Sequence, residues 1–150
     1  IVRKESIIYS DPPTQRNTIQ LLMRDYLIFS QVSISQPSIL GSSKRVRFNC
    51  IWDTGATHTA ISLKVAAACD IKQTGFSQVQ TMNGKLIPSS TALINIYLSD
   101  SIIIKDFNVV IVKMLDSNID VLIGMDIISK GRLLYSKDLI HFTLLSHKAL

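Results

Sequence analysis

One position in this chain concentrates chemistry: Asp53, in the tetrad Asp53-Thr54-Gly55-Ala56, which occurs once in 150 residues and directly follows the strand-like run Val46-Arg47-Phe48-Asn49-Cys50-Ile51-Trp52. A carboxylate lifted out of a tight turn at the end of a buried strand can take a proton from water. Attack on a peptide carbonyl without a metal or covalent intermediate needs a second, protonated carboxyl group to polarise the carbonyl and to serve the leaving amine. Two such groups roughly 3 Å apart cannot both ionise, so one keeps its proton at working pH. The tetrad has no second copy in the sequence, so a reaction of that kind would draw its second carboxylate from a second chain.

Other residues compete for chemical roles and read more simply. Asp126 follows Gly124 at the start of an apolar turn and reads as a helix cap that satisfies free backbone amides, rather than as a partner for Asp53 within one chain. His58 sits close after the tetrad but has no second ligand at helical or hairpin spacing, so a metal site is not expected; His141 and His147 are isolated. Cys50 and Cys69 lie in apolar contexts without a CxxC spacing and read as buried free thiols.

The elements that must position Asp53 are short strands. Residues 1 to about 25, with the breaker Ser10-Asp11-Pro12-Pro13, read as an irregular N-terminal arm or linker, and residues 26–150 as one domain. The stretch Tyr26 to Ile34 alternates as a strand ending near Pro37, and Gly41-Ser42-Ser43 reads as a turn. From Arg45 to Trp52 the period-2 pattern puts Val46, Phe48, Cys50 and Trp52 on one face and Arg45, Arg47 and Asn49 on the other. Thr59-Ala60-Ile61 forms a short strand, Ser62 caps a short helix over Leu63 to Cys69, and Gly75 ends the connection onward. Asn83-Gly84 between extended segments is a hairpin signal, expected as a type I′ turn with both residues at positive φ. Further strands run over Leu93 to Leu98 and Ile102 to Val112, with Asp100-Ser101 as a turn; Val121-Leu122-Ile123-Gly124 is a short buried strand, Asp126 caps Ile127 to Lys130, and Leu133 to Tyr135 and Leu139 to Leu145 close the domain. The whole is all-β, a closed or sandwich-like domain with two short helices.

Composition bounds the partners. An apolar content of 47% supplies a core for a single domain, and the charged fraction of 18% is below the roughly 25% of an average soluble domain, in keeping with apolar surface covered by a partner. The net charge of +5 is dispersed, and its one cluster, Lys44-Arg45-x-Arg47, alternates as the solvent face of a strand. That pattern lacks the dense basic stripe and aromatic platforms of a nucleic-acid surface, so nucleic acid is not an expected partner. No run reaches the roughly 18 apolar residues of a membrane span, and residues 1–20 carry no signal-peptide pattern. Ile1 in place of Met reads as excision from a longer protein, and unpaired cysteines without a signal favour the cytoplasm.

Taken together, Ile51-Trp52-Asp53-Thr54-Gly55-Ala56-Thr57, a glycine-bearing hairpin about 30 residues on, and Val121-Leu122-Ile123-Gly124-Met125-Asp126 resemble the retropepsin-like aspartic proteases, the family of retroviral and retrotransposon proteases and of cellular retroviral-like domains. The resemblance spans residues 26–145 and implies a single-lobe barrel, active as a homodimer on peptide or protein segments and needing no cofactor. It implies that Asp53 is catalytic, that Thr54 cross-links the two loops, that Gly55 admits substrate backbone, and that Ile123-Gly124 packs beneath the loop. Met82-Asn83-Gly84-Lys85 becomes the tip of a flap over bound peptide, with fewer glycines than viral flaps carry. Met82, Ile87, Val121 and Ile123 are candidates for apolar side pockets. Ala56 stands where many pepsin-like enzymes have a hydroxyl that lowers the dyad's pKa, so an optimum nearer weak than strong acid is expected. The rival within the same fold is a catalytically silent dimeric domain that binds peptides or acts as a scaffold.

Overall fold

The computed structural model describes residues 7–9, 17–37, 44–113, 115–116 and 118–145. The turn expected at Gly41-Ser42-Ser43 and the breaker at Ser10 to Pro13 lie outside those residues. In chain order the elements are β1 (Ile7–Tyr9), β2 (Thr18–Arg24), β3 (Leu27–Ser35), β4 (Val46–Trp52), β5 (Ala60–Ser62), α1 (Leu63–Ala68), β6 (Gly75–Gln80), β7 (Leu86–Tyr97), β8 (Ile102–Val112), β9 (Val121–Ile123), α2 (Met125–Ile128), β10 (Gly131–Tyr135) and β11 (Ile140–Leu144).

The sheet closes on itself. Strands run in the order β3-β4-β9-β5-β8-β7, and Ser33–Ser35 of β3 pairs back onto Asn95–Tyr97 of β7 to complete the ring. Closure removes the long free edges that would otherwise template aggregation. Inside sit mostly β-branched side chains, with Val32, Ile34, Ile61, Ile94, Ile96 and Ile123 all almost fully buried, each worth roughly 1.5–3 kcal/mol against exposure. On β4 the alternation expected from sequence holds: Phe48, Cys50 and Trp52 are buried while Arg45 and Arg47 face out.

Residues before 26, expected to be irregular, contribute two strands. β2 pairs with β3 (Leu22↔Phe29 to Arg24↔Leu27) and with β11 (Leu21↔Ile140), and β1 pairs with Ile102–Ile104 of β8. The sequence of β2 does not alternate, because Leu22 and Met23 are adjacent, apolar and both exposed. Its two-residue link to β3, Asp25-Tyr26, has both residues at positive φ (52° and 64°), as a type I′ hairpin requires, without the usual glycine or asparagine. The hairpin at Asn83-Gly84 takes the other form. Gly84 N–H donates to Thr81 O (2.9 Å) and Thr81 N–H to Lys85 O (2.9 Å), and only Gly84 has positive φ (76°). That is a turn over Met82-Asn83 followed by a left-handed glycine, the three-residue loop, in place of the expected type I′ turn.

Helix α1 starts as expected: the Ser62 hydroxyl accepts from Val65 N–H at 3.3 Å. The start of α2 departs from expectation. Its N-cap is Gly124, and Asp126 lies inside the first turn with its carboxylate directed elsewhere.

Candidate active site

Asp53 leaves the end of β4 over a hydrophobic plug. Trp52 is buried, its indole N–H donates to Ser30 Oγ (2.9 Å), and its ring lies 5.0 Å from that of Phe142. With Trp52 buried and held by both contacts, the backbone of Asp53 starts from a rigid base. The Asp53 N–H donates to Ile123 O at 2.9 Å, continuing the parallel pairing Trp52↔Ile123 by one residue. Two contacts then shape the turn: Gly55 N–H donates to Asp53 Oδ1 (2.8 Å) and Ala56 N–H to Asp53 O (3.2 Å). A carboxylate oxygen that accepts a backbone N–H is held in one rotamer, while the side chain as a whole stays half-buried and open to solvent.

The loop is tied from beneath by a segment distant in sequence. β9 lies between β4 (parallel) and β5 (antiparallel), the two strands that the loop connects. Gly124 follows, and the first amides of α2 point at the loop: Met125 N–H donates to Ala56 O (2.8 Å) and Asp126 N–H to Thr57 O (3.2 Å). Helix-start amides have no intrahelical acceptors, so the loop carbonyls satisfy them. Gly124 is where only a glycine fits, since a Cβ there would meet His58 C and O at 2.8 Å and Ala56 O at 2.9 Å. Ile123 and Gly124, which the resemblance placed beneath the loop, contact it through Ile123 O and through the close approach of Gly124 to Ala56 and His58. Val121 and Ile123 are fully buried, which removes them as candidates for side pockets.

Two supporting residues were missed. Thr59, fully buried, donates through its N–H (2.8 Å) and hydroxyl (2.6 Å) to the two oxygens of Asp126, and its Oγ1 accepts from Gly124 N–H (3.1 Å). Asp126 therefore buckles the loop's exit to the start of α2, in place of the capping role expected. Nothing in spacing links Thr59 to a carboxylate 67 positions on, so no sequence signal could have found the pair.

The other expected site residues fall in two groups. Thr54 and Gly55 are exposed beside Asp53, and the Thr54 hydroxyl makes no hydrogen bond among the described residues. Met82, Asn83, Gly84 and Lys85 form the tip of the β6–β7 hairpin, all exposed, and no hydrogen bond among the described residues joins them to the Asp53 loop. That hairpin projects: Leu86 to Ser89 pair only with β6, and pairing to β8 begins at Ser90. A bare two-stranded ribbon is marginally stable by itself. Pro88 is tolerated within it because no third strand needs its missing N–H.

Neither thiol takes part. Burial pushes Cys50 far above its ordinary range, against smaller opposing hydrogen bonds from Ile123 and Ser30. Burial likewise raises Cys69 to about 11, partly offset by Lys44. Among the described residues no cluster of His, Cys, Asp and Glu is placed to hold a metal ion, and no helix is long and apolar enough to cross a membrane.

A single-lobe closed barrel, with one Asp-Thr-Gly loop seated on a buried strand-glycine-helix segment, defines the retropepsin-like class of aspartic protease folds. The chain belongs to the family described as "gag-polyprotein putative aspartyl protease", whose sequence profile matches residues 40–130. Among solved structures, a retropepsin-like aspartic protease from Rickettsia conorii is similar over 95% of this chain and 97% of its own, with a TM-score of 0.61 and 17% identity. The retroviral protease-like domain of Ddi1 from Leishmania major is similar over 80% and 96%, with a TM-score of 0.44 and 16% identity. No curated protein matches the sequence.

Proposed function

We propose that this domain is an aspartic endopeptidase that works as a homodimer, each chain supplying one Asp53. The observation that carries the reading is a half-site. Asp53 is anchored through Ile123 O and Gly55 N–H, yet its carboxylate opens to solvent with no second acidic side chain tied to it among the described residues. Beside it Thr54 offers an exposed hydroxyl that makes no hydrogen bond among the described residues, available to the other loop across a two-fold axis.

In the dimer the two carboxylates share one proton around a water. The ionised one takes a proton from the water as its oxygen attacks the peptide carbonyl, and the protonated one donates to the carbonyl oxygen. Collapse of the tetrahedral intermediate breaks the C–N bond, with a proton passed to the leaving nitrogen. Gly55, without a side chain, lets substrate backbone approach closely. The β6–β7 ribbon, with Met82 to Lys85 at its tip, closes over an extended segment of about six to eight residues and excludes water. Met82 and Ile87, both exposed, are the remaining candidates for apolar contact with substrate.

The test is a peptide-library incubation of wild type beside Asp53→Asn, with association state measured by sedimentation on the same samples. Cleavage by wild type alone, with equal dimerisation of both, is the expected result. A dimeric wild type that cleaves nothing across pH would refute catalysis and leave a silent peptide-binding domain of the same fold.

A further inference from the structure

The outer wall of the barrel carries a groove that the catalytic reading does not use. It consists of two adjoining clefts of about 600 and 370 Å³ that share Gln31, Leu98 and Ser99. The larger reaches Leu22, Arg24 and Phe29, and the smaller reaches Ser33, Arg45, Arg47 and Tyr97. The floor is β3, and its pairing explains why a groove exists there. β2 accompanies β3 along Leu27–Phe29 and then leaves to join β11, while β7 accompanies it along Ser33–Ser35. Between these, Ser30 to Val32 has no strand on that side, and the β7–β8 turn forms the facing wall.

Its charge is one-sided. Arg24, Arg45 and Arg47 line it against a single carboxylate, Asp100. All three arginines are exposed, and none has an ion-pair partner among the described residues. Two are held in place by stacking: Arg24 lies 4.6 Å from the centre of the Phe29 ring and Arg45 3.9 Å from that of Tyr97, whose hydroxyl is itself 3.1 Å from Ser35 Oγ. A stacked guanidinium keeps its N–H fork free, so it is prearranged for a carboxylate. Between the arginines the surface offers amides and hydroxyls, with Gln31 donating to Asn49 at 3.3 Å and with Ser33 and Ser99 alongside.

We infer that this groove binds an acidic, extended polypeptide segment, at a site separate from Asp53. Carboxylates meet the guanidinium groups at the two ends, and the peptide backbone meets the polar middle and the unaccompanied stretch of β3. Nucleic acid fits less well, because bases need open aromatic faces. Phe29 is buried, and an arginine covers a face of each ring. The groove begins beside the active-site end, since Ile28 pairs with Trp52, and it ends near Arg47, six positions before Asp53 on β4, or roughly 20 Å away. A segment lying in it extends beyond any catalytic cleft and adds selectivity that the cleft alone lacks.

The inference is tested by binding and not by cleavage, so it stands or falls separately from the protease reading. A fluorescein-labelled peptide of about six residues alternating Glu and Thr, long enough to span roughly 20 Å, is titrated by anisotropy into the Asp53→Asn protein. Saturable binding is expected, weakened several-fold by salt and about tenfold or more by Arg45→Gln with Arg47→Gln, circular dichroism showing both proteins folded. Absence of saturable binding, or equal binding by the double variant, overturns the inference. So does tighter binding of a single-stranded oligonucleotide of equal charge, and so does conversion of a dimer to a monomer by the double substitution, which would make the groove a contact between chains.

Discussion

Gly124→Ala should damage the Asp53 loop without touching Asp53. The added Cβ would lie 2.8 Å from His58 C and O and 2.9 Å from Ala56 O, whereas ordinary contacts begin at 3.4 Å. The shortfall is 3.4 − 2.8, or about 0.6 Å, and it falls on backbone atoms, which cannot rotate away as a side-chain tip does. Overpacking of this kind costs ~1–3 kcal/mol. The loop must lift, and lifting stretches Met125 N–H to Ala56 O (2.8 Å) and Asp126 N–H to Thr57 O (3.2 Å), adding ~1 kcal/mol for each bond that is lost. With one of the two bonds lost, a total of about 2–4 kcal/mol lowers Tm by roughly 4–16 °C in a domain of this size. Misplacing the carboxylate by about 1 Å should lower kcat/KM by ~10²-fold. Differential scanning calorimetry and peptide cleavage on the same preparation measure both. Gly75→Ala is the control, because its Cβ meets only a rotatable hydroxyl, Thr91 Oγ1, at 3.2 Å. A Gly124→Ala protein with wild-type Tm and wild-type cleavage would refute the reasoning.

Thr59→Val keeps the side chain's shape but strands the Gly124 N–H and removes a donor from Asp126; about 2–3 kcal/mol should be lost, with Thr59→Ser recovering much of it in thermal melts. Ala56→Ser introduces a hydroxyl beside the Asp53 turn, and if it donates to the ionised dyad the acid limb of the cleavage profile, scanned over about pH 3–8, should move to lower pH; an unmoved limb counts against that hydrogen bond. Cys50 is kept neutral by burial, so above the ordinary thiol pKa the unfolded chain ionises while the folded chain does not. For Cys50 the unfolded state then binds fewer protons, which lowers stability from about pH 9 upward by ~1.4 kcal/mol per pH unit. Cys69, raised to about 11, adds a slope of the same sign below that pH, so Cys50→Ala should make the pH dependence of alkaline denaturant melts shallower by the Cys50 amount without abolishing it.

Local features were legible and long-range ones were not. The alternation of β4, the Ser62 cap and the loop residues Asp53 to Ala56 depend on neighbours a few positions apart, and each reads directly off the chain. The placement of Ile123-Gly124 under the loop came from resemblance, since β9 inserts between β4 and β5 through pairings that no local pattern encodes. Turn chemistry misled in both directions. Asn83-Gly84 carries the strongest type I′ signal yet uses a three-residue loop, while Asp25-Tyr26 carries none and has both φ values positive. Strand pairing on either side evidently outweighs the preference of two residues. Asp126 shows the same limit: its position beside Gly124 fits a cap, and only the fold reveals Thr59 within reach.

The bond from Asp53 N–H to Ile123 O also sets a clock. Its two ends are 123 − 53 = 70 positions apart, and the amides of Met125 and Asp126 that hold the loop come later still. A chain emerging from the ribosome exposes Asp53 long before it exposes the segment that shapes it. At ~5–20 residues per second that interval is roughly 4–14 s. During synthesis Asp53 is therefore present while its loop is still unformed, and the loop takes its shape only once the barrel has closed.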